Sequence, residues 1–197
     1  MPIFQPVYLG SITGKPVICM GTKMKKIDEY VRSITNFPQE GIIFRDVTSV
    51  LQDADGLHLA IDLMQNSIQD VEFDVIVGPE SRGFIFGVPI AYNLHKPFVP
   101  IRKKGKLPCE TIEREYELEY GTAIIEMHRD AIQPGQKVII VDDLIATGGT
   151  TEAIIQLIEE VGGEVAAICF LMELEGLKGR EKLKGYRVES VIKYEGN

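Results

Sequence analysis

Mostly apolar runs alternate along this chain with stretches of helical periodicity. Phe73-Asp-Val-Ile-Val-Gly78, Pro97-Phe-Val-Pro-Ile101, Val138-Ile-Ile-Val141 and Glu164-Val-Ala-Ala-Ile-Cys-Phe-Leu-Met172 show little polar alternation. That pattern suits strands buried on both faces. Between them, Leu57, Ala60, Ile61 and Met64 share one face of a helix over 54–69. An apolar helix runs from the Gly83 turn to about Leu94. Ala153, Ile154, Leu157, Ile158 and Val161 mark a helix over 150–161. Ile27, Tyr30, Val31 and Ile34 predict a further helix over 25–36, stopped by Pro38, and Gln39–Asp46 reads as an irregular or extended loop. Leu177–Leu183 reads as a short helix and Arg187–Tyr194 as a last strand. Residues 107–121 are charged, weakly patterned and long for a plain connection, which predicts a flap. Thr122–Met127 then pairs antiparallel with 115–120. Buried strands alternating with helices give an α/β fold. The expected form is a doubly wound, mostly parallel sheet flanked by helices, with a flexible antiparallel flap and a small N-terminal hood region.

Residues 1–23 read differently. Two short apolar runs flank Thr13-Gly14, a hairpin pattern. They are read as an extension of unknown role, with 24–197 as one domain; Met24 would serve equally as a start. The formal charge of −8, from 21 basic and 29 acidic residues, gives no general attraction for nucleic acid or anionic membranes. No apolar run approaches a membrane span. Cys19, Cys109 and Cys169 are far apart with no C-x-x-C. That argues against a disulfide framework or zinc site and fits a reducing cytoplasm. His58 reads as a lone surface histidine.

The chemistry concentrates in Lys137-Val-Ile-Ile-Val-Asp-Asp-Leu-Ile-Ala-Thr-Gly-Gly-Thr-Thr151. A buried strand ends in Asp142 and Asp143, and the loop Ala146-Thr147-Gly148-Gly149-Thr150 opens a helix. Glycines let backbone N–H groups approach closely, and a helix N-terminus supplies free donors and positive partial charge. The acids suit ribose hydroxyls, or a magnesium ion that a polyphosphate brings with it. A plain strand-loop-helix unit is the simpler alternative, but paired acids at a strand end are costly without partners. There is no G-x-G-x-x-G and no Gly-Lys-Ser/Thr. A second such unit carries Glu80-Ser81-Arg82-Gly83, where Arg82 offers a planar fork for phosphate oxygens or for a neighbouring acid. Arg102-Lys103-Lys104-Gly105-Lys106 packs four cations into five residues. It is either a solvated face or a means of neutralising a polyphosphate.

These segments resemble those of type I phosphoribosyltransferases, and within them the adenine phosphoribosyltransferase family. Hydrophobic run, two acids, two spacers and Thr-Gly-Gly-Thr match the loop that binds 5-phosphoribosyl 1-diphosphate (PRPP). Gly41-Ile-Ile-Phe-Arg-Asp46, Ser81-Arg-Gly-Phe84, Arg102-Lys-Lys-Gly-Lys-Leu-Pro108, Leu118-Glu-Tyr-Gly121 and Leu177-Lys-Gly-Arg-Glu181 extend the match over about Met24–Tyr194. The resemblance implies purine salvage, adenine plus PRPP giving AMP and pyrophosphate, with Mg2+ as cofactor and a homodimer. It implies that Ala146, Thr147, Gly148, Gly149 and Thr150 hold the 5′-phosphate. Asp142 and Asp143 would serve the ribose or magnesium. Arg82 and the backbone at Glu80 and Ser81, often with a cis peptide, would hold pyrophosphate, with charge added by Arg102, Lys103 and Lys106. Ile43, Phe44 and Arg45 would hold adenine, and Glu119 on the flap would face the purine as general base. A non-catalytic regulator of the same fold, or a transferase for another 6-substituted purine, are the alternatives; no appended DNA-binding domain or basic face favours the first.

Overall fold

In the computed structural model, which describes residues 25–117 and 121–196, apolar alternation decides which side of each strand meets which helix. Strands β3 (Val75–Pro79), β4 (Phe98–Lys103), β5 (Thr111–Glu117), β6 (Thr122–His128), β7 (Lys137–Ile145), β8 (Glu164–Leu174) and β9 (Val188–Tyr194) form one sheet in the order β5-β6-β4-β3-β7-β8-β9. Strands β4, β3, β7, β8 and β9 run parallel, whereas β6 joins β4 antiparallel and forms a hairpin with β5. Val138 to Val141 of β7 are all fully buried. Val138 and Ile140 face one core with helix α4 (Gly149–Glu160). Ile139 and Val141 face the other, with α1 (Thr48–Leu51), α2 (Ala54–Ser67) and α3 (Arg82–Asn93). A parallel sheet covered on both faces needs such doubly apolar strands.

From β3 the chain passes to β4 on one side and later to β7 on the other. The strand order therefore reverses between β3 and β7, and the crevice beyond their carboxyl ends is where doubly wound sheets bind ligands.

The helix expected over 25–36 does not form. Ile27–Tyr30 make a 3-10 turn and Arg32–Thr35 is strand β1, paired antiparallel with β2 (Ile43–Asp46). The helical spacing of the apolar residues misled because Ile27 and Val31 are buried while Ile34 is exposed and lies opposite Phe44. β-Branched Val31, Ile34 and Thr35 favour the extended form. Asn36, at φ 58°, reverses the chain, and its Oδ1 accepts from the Gly41 amide at 2.9 Å. This hairpin is the hood. The helix expected at Leu177–Leu183 is instead two 3-10 segments, Glu175–Leu177 and Gly179–Leu183, parted at Lys178 with φ 53°. The third core strand runs on to Lys103, so Arg102 and Lys103 lie within it. The flap strands pair Thr111–Glu117 with Thr122–His128, earlier in the chain than expected. His58 is exposed, as expected. The hairpin reading of residues 1–23 lies outside the described residues.

Candidate active site

Two helices begin at the crevice, and no side chain caps either. The Ser81 side chain does not cap α3, and Gly148, in the left-handed conformation at φ 79°, cannot cap α4. By contrast, Asp53 caps α2, accepting from the Asp55 and Gly56 amides at 3.0 and 3.1 Å. The first amides of α3 and α4 are thus open to an anion, which the helix macrodipole also favours.

Asp142 and Asp143 follow the apolar run of β7, a strand that ends at buried Ile145. Asp143 is 2% exposed, and its Oδ2 lies 3.0 Å from Arg82 Nε across the β3–β7 gap. The pair is out of line for a hydrogen bond, so this oxygen is buried without one. Burial and the adjacent Asp143 charge push the Asp142 carboxyl well above the ordinary aspartate range; burial also raises Asp143, against the pull of Arg82. A pair of carboxylates in this state favours any cation placed beside it.

The second loop follows β3. A cis peptide joins Glu80 and Ser81. The Glu80 carboxylate takes Arg102 Nε at 2.8 Å. Burial raises Glu80, but the Arg102 hydrogen bond and the Lys103 amide outweigh it and hold the group below its usual range. Glu80 therefore offers the crevice its backbone rather than its charge. Arg102 Nη1 also donates to Lys106 O at 3.2 Å, Lys104 pairs with Glu113 at 2.7 Å, and Lys103 and Lys106 are exposed.

One organiser of this basic turn escaped the sequence reading. Glu126 on β6 is 3% exposed, and accepts from the Lys106 and Leu107 amides at 2.8 and 2.7 Å. Burial raises it, but the Leu107, Gly105 and Lys106 amides and the Thr111 hydroxyl prevail and lower its pKa. The signal was a single acid inside the apolar run Ala123–Met127.

The hood brings Ile43, Phe44 and Arg45 towards the same end of the sheet. The Arg45 guanidinium stacks 4.0 Å over the Tyr194 ring at the end of β9, and Phe37 meets Phe44 edge-on at 5.2 Å. Asp46, lowered chiefly by the Thr48 hydroxyl, also feels Arg32 and Arg82, which places the hood's end beside the crevice. The Glu117 carbonyl of the flap lies 3.2 Å from where a Cβ on Gly149 would stand. Glu119 falls in 118–120, outside the described residues.

Fold and site together define a phosphoribosyltransferase: the family model described as phosphoribosyl transferase domain matches residues 46–195. The chain is 75% identical over 173 residues to an adenine phosphoribosyltransferase of Lachnoclostridium phytofermentans, covering 88% of this chain and 99% of that one. The solved adenine phosphoribosyltransferase of Thermoanaerobacter pseudethanolicus superposes with a TM-score of 0.81 at 51% identity, covering 85% of this chain and 98% of that one. That of Saccharomyces cerevisiae, solved with an imino-altritol bisphosphate and adenine, gives 0.78 at 40% identity, covering 84% and 96%. The chain belongs to the adenine phosphoribosyltransferase family.

Proposed function

We propose that the chain performs purine salvage, transferring the 5-phosphoribosyl group of PRPP to adenine to give AMP and pyrophosphate. Adenine N9 attacks the anomeric carbon, the bond from that carbon to the pyrophosphate oxygen breaks, and pyrophosphate leaves with the electron pair. The observation that carries this reading is the Asp143–Arg82 pair, 3.0 Å apart between two uncapped helix N-termini. It sets negative charge where the anomeric carbon becomes cationic, beside positive charge where a leaving phosphate gains it. Interactions that strengthen as charge develops stabilise the transition state more than the ground state.

In this reading the amides from Ala146, Thr147 and Gly148 to Gly149 and Thr150 hold the 5′-phosphate. Asp142 and Asp143 face the ribose. The Ser81 backbone, Arg82, Arg102, Lys103 and Lys106 attend the pyrophosphate. A backbone carbonyl among Ile43, Phe44 and Arg45 accepts from the 6-amino group, and a 6-oxo base would leave it unpaired. Glu119 takes the proton from adenine N7. The carboxylates of Asp142 and Asp143 also fit Mg2+ that arrives with PRPP. Among the described residues no group of three or more His, Cys, Asp or Glu side chains could hold a metal, and magnesium commonly takes one or two carboxylates plus substrate oxygens. When bound, the ion would neutralise charge on the departing pyrophosphate.

A homodimer is part of the proposal. Ile85, Val88 and Tyr92 lie along one exposed face of α3, Tyr92 at 84% exposure, and such a stripe suits a second copy. Among the described residues no helix is long and apolar enough to cross a membrane. The free thiols of Cys109 and Cys169 suit a reducing cytoplasm. Incubation with PRPP, Mg2+ and each purine base in turn tests the reaction. AMP from adenine alone is expected; no nucleotide, or one formed from hypoxanthine in preference, would overturn it.

A further inference from the structure

The segment after β8 is not assigned a role by the reading above, yet it touches the phosphate loop backbone to backbone. A Cβ on Gly179 would stand 2.2 Å from Ala146 O and 2.9 Å from Gly148 N, and one on Gly148 would stand 2.6 Å from Gly179 O. Arg180 fixes the segment from below. Its Nε and Nη2 reach both Glu173 oxygens at 2.9 and 2.5 Å, and its Nη1 reaches Val188 O at 2.8 Å. Two residues on, Lys182 Nζ lies 3.9 Å from the Cβ position of Gly149, the first residue of α4. Its carboxylate neighbour is Glu152, 3.8 Å away, in the first turn of the same helix; both side chains are about half exposed.

We infer that Lys182 is a ligand of the 5′-phosphate, delivered by the Gly179–Leu183 segment to the donors at the start of α4. This rests on the transferase reading above. A phosphate oxygen bound by the Gly149 amide sits about 3 Å from that nitrogen. The flexible Lys182 stem spans the remaining gap by a rotamer change. The competing Glu152 pair is long and exposed, so it is weak. A doubly charged phosphate on the α4 amides outcompetes one solvated carboxylate for the ammonium.

Titration of the full chain with ribose 5-phosphate and with AMP, alongside steady-state kinetics, tests this. In Lys182→Gln both ligands bind roughly ten-fold more weakly, as expected for one lost charge-assisted hydrogen bond. Turnover at saturating PRPP and KM for adenine stay within about two-fold, the mark of lost uniform binding. The loss shrinks as salt rises, and Lys182→Arg restores most of the affinity. Unchanged affinity for ribose 5-phosphate, or an equal loss for adenine, would overturn the inference. Wild-type protein that binds neither phosphorylated ligand would overturn the transferase reading along with it.

Discussion

Gly179→Ala puts a methyl group where the phosphate loop already stands. The new Cβ would lie 2.2 Å from Ala146 O and 2.9 Å from both Gly148 N and Ile145 Cγ1. A comfortable carbon–oxygen contact is about 3.3 Å, so one side must retreat by roughly 1 Å. The Gly179 side is held: Arg180 is clamped to Glu173, Val188 and Ser190, and Leu183 is 1% exposed. The 146–148 side carries fewer anchors, and it is the side whose amides face the crevice. Displacing it misaims the phosphate donors. Each charge-assisted hydrogen bond is worth about 1.5–3 kcal/mol, so losing one weakens phosphate binding about 10- to 150-fold. The assay is KM for PRPP and the dissociation constant of AMP, with adenine KM and far-UV circular dichroism as checks. Gly185→Ala is the control: nothing lies within 4 Å of its Cβ position, and its φ of 99° adds a backbone strain that Gly179 does not carry, so any loss specific to Gly179→Ala comes from the contact with the phosphate loop. A folded Gly179→Ala protein with wild-type KM for PRPP would refute the reasoning, and so would equal effects in the two variants.

Replacing Asp142 and Asp143 together with Asn is expected to lower turnover at least about 10²-fold yet raise the melting temperature of the ligand-free protein. Burial raises both carboxyl pKa values, so the ionised pair opposes folding above that range; a lower melting temperature at neutral pH would contradict this. Glu126→Gln should raise KM for PRPP several-fold while sparing adenine KM, because the Glu126 charge holds the Lys106 and Leu107 amides. The Glu126 pKa is lowered in the fold, so its contribution to stability is complete at neutral pH and lost as pH falls through the carboxylate range. The variant should therefore show a shallower acid-unfolding limb than wild type. Glu119→Gln is expected to lose at least about ten-fold in kcat with PRPP binding intact, and Glu115→Gln, exposed on β5, to lose little; equal effects would remove Glu119 as the base. A chain starting at Met24 should keep most activity, since a relative covered to 99% of its length matches only 173 residues; a soluble, folded but inactive product would show otherwise.

The sheet and its crevice were legible because burial on both faces writes itself as unbroken apolar runs, and Asp142, Asp143 and Arg82 stand where those runs end. The hood was not legible. Ile27, Tyr30, Val31 and Ile34 have helical spacing, but the pairing that makes Arg32–Thr35 a strand comes from Ile43–Asp46, across a chain reversal at Asn36. Local periodicity carries no record of a partner ten residues away. Glu126 and Gly179 were missed for a related reason. Each matters through a contact distant in sequence, Glu126 with amides 19 and 20 residues away and Gly179 with a loop it meets only in three dimensions.

The places where the fold gives up stability are also where the site lies. Helix α2 begins with a capping aspartate, whereas α3 and α4 begin uncapped at the crevice. Replacing a good cap costs about 1 kcal/mol, and the raised carboxyls of Asp142 and Asp143 add to that cost in the same few ångströms. These groups are complementary to one kind of ligand: a phosphate satisfies the open amides, and a cationic centre relieves the acids. A ligand carrying both charges should therefore stabilise the protein more than the sum of separate phosphate and cation. A sugar phosphate that becomes cationic at its anomeric carbon is such a ligand only in the transition state, which is why the same defects serve catalysis rather than tight ground-state binding.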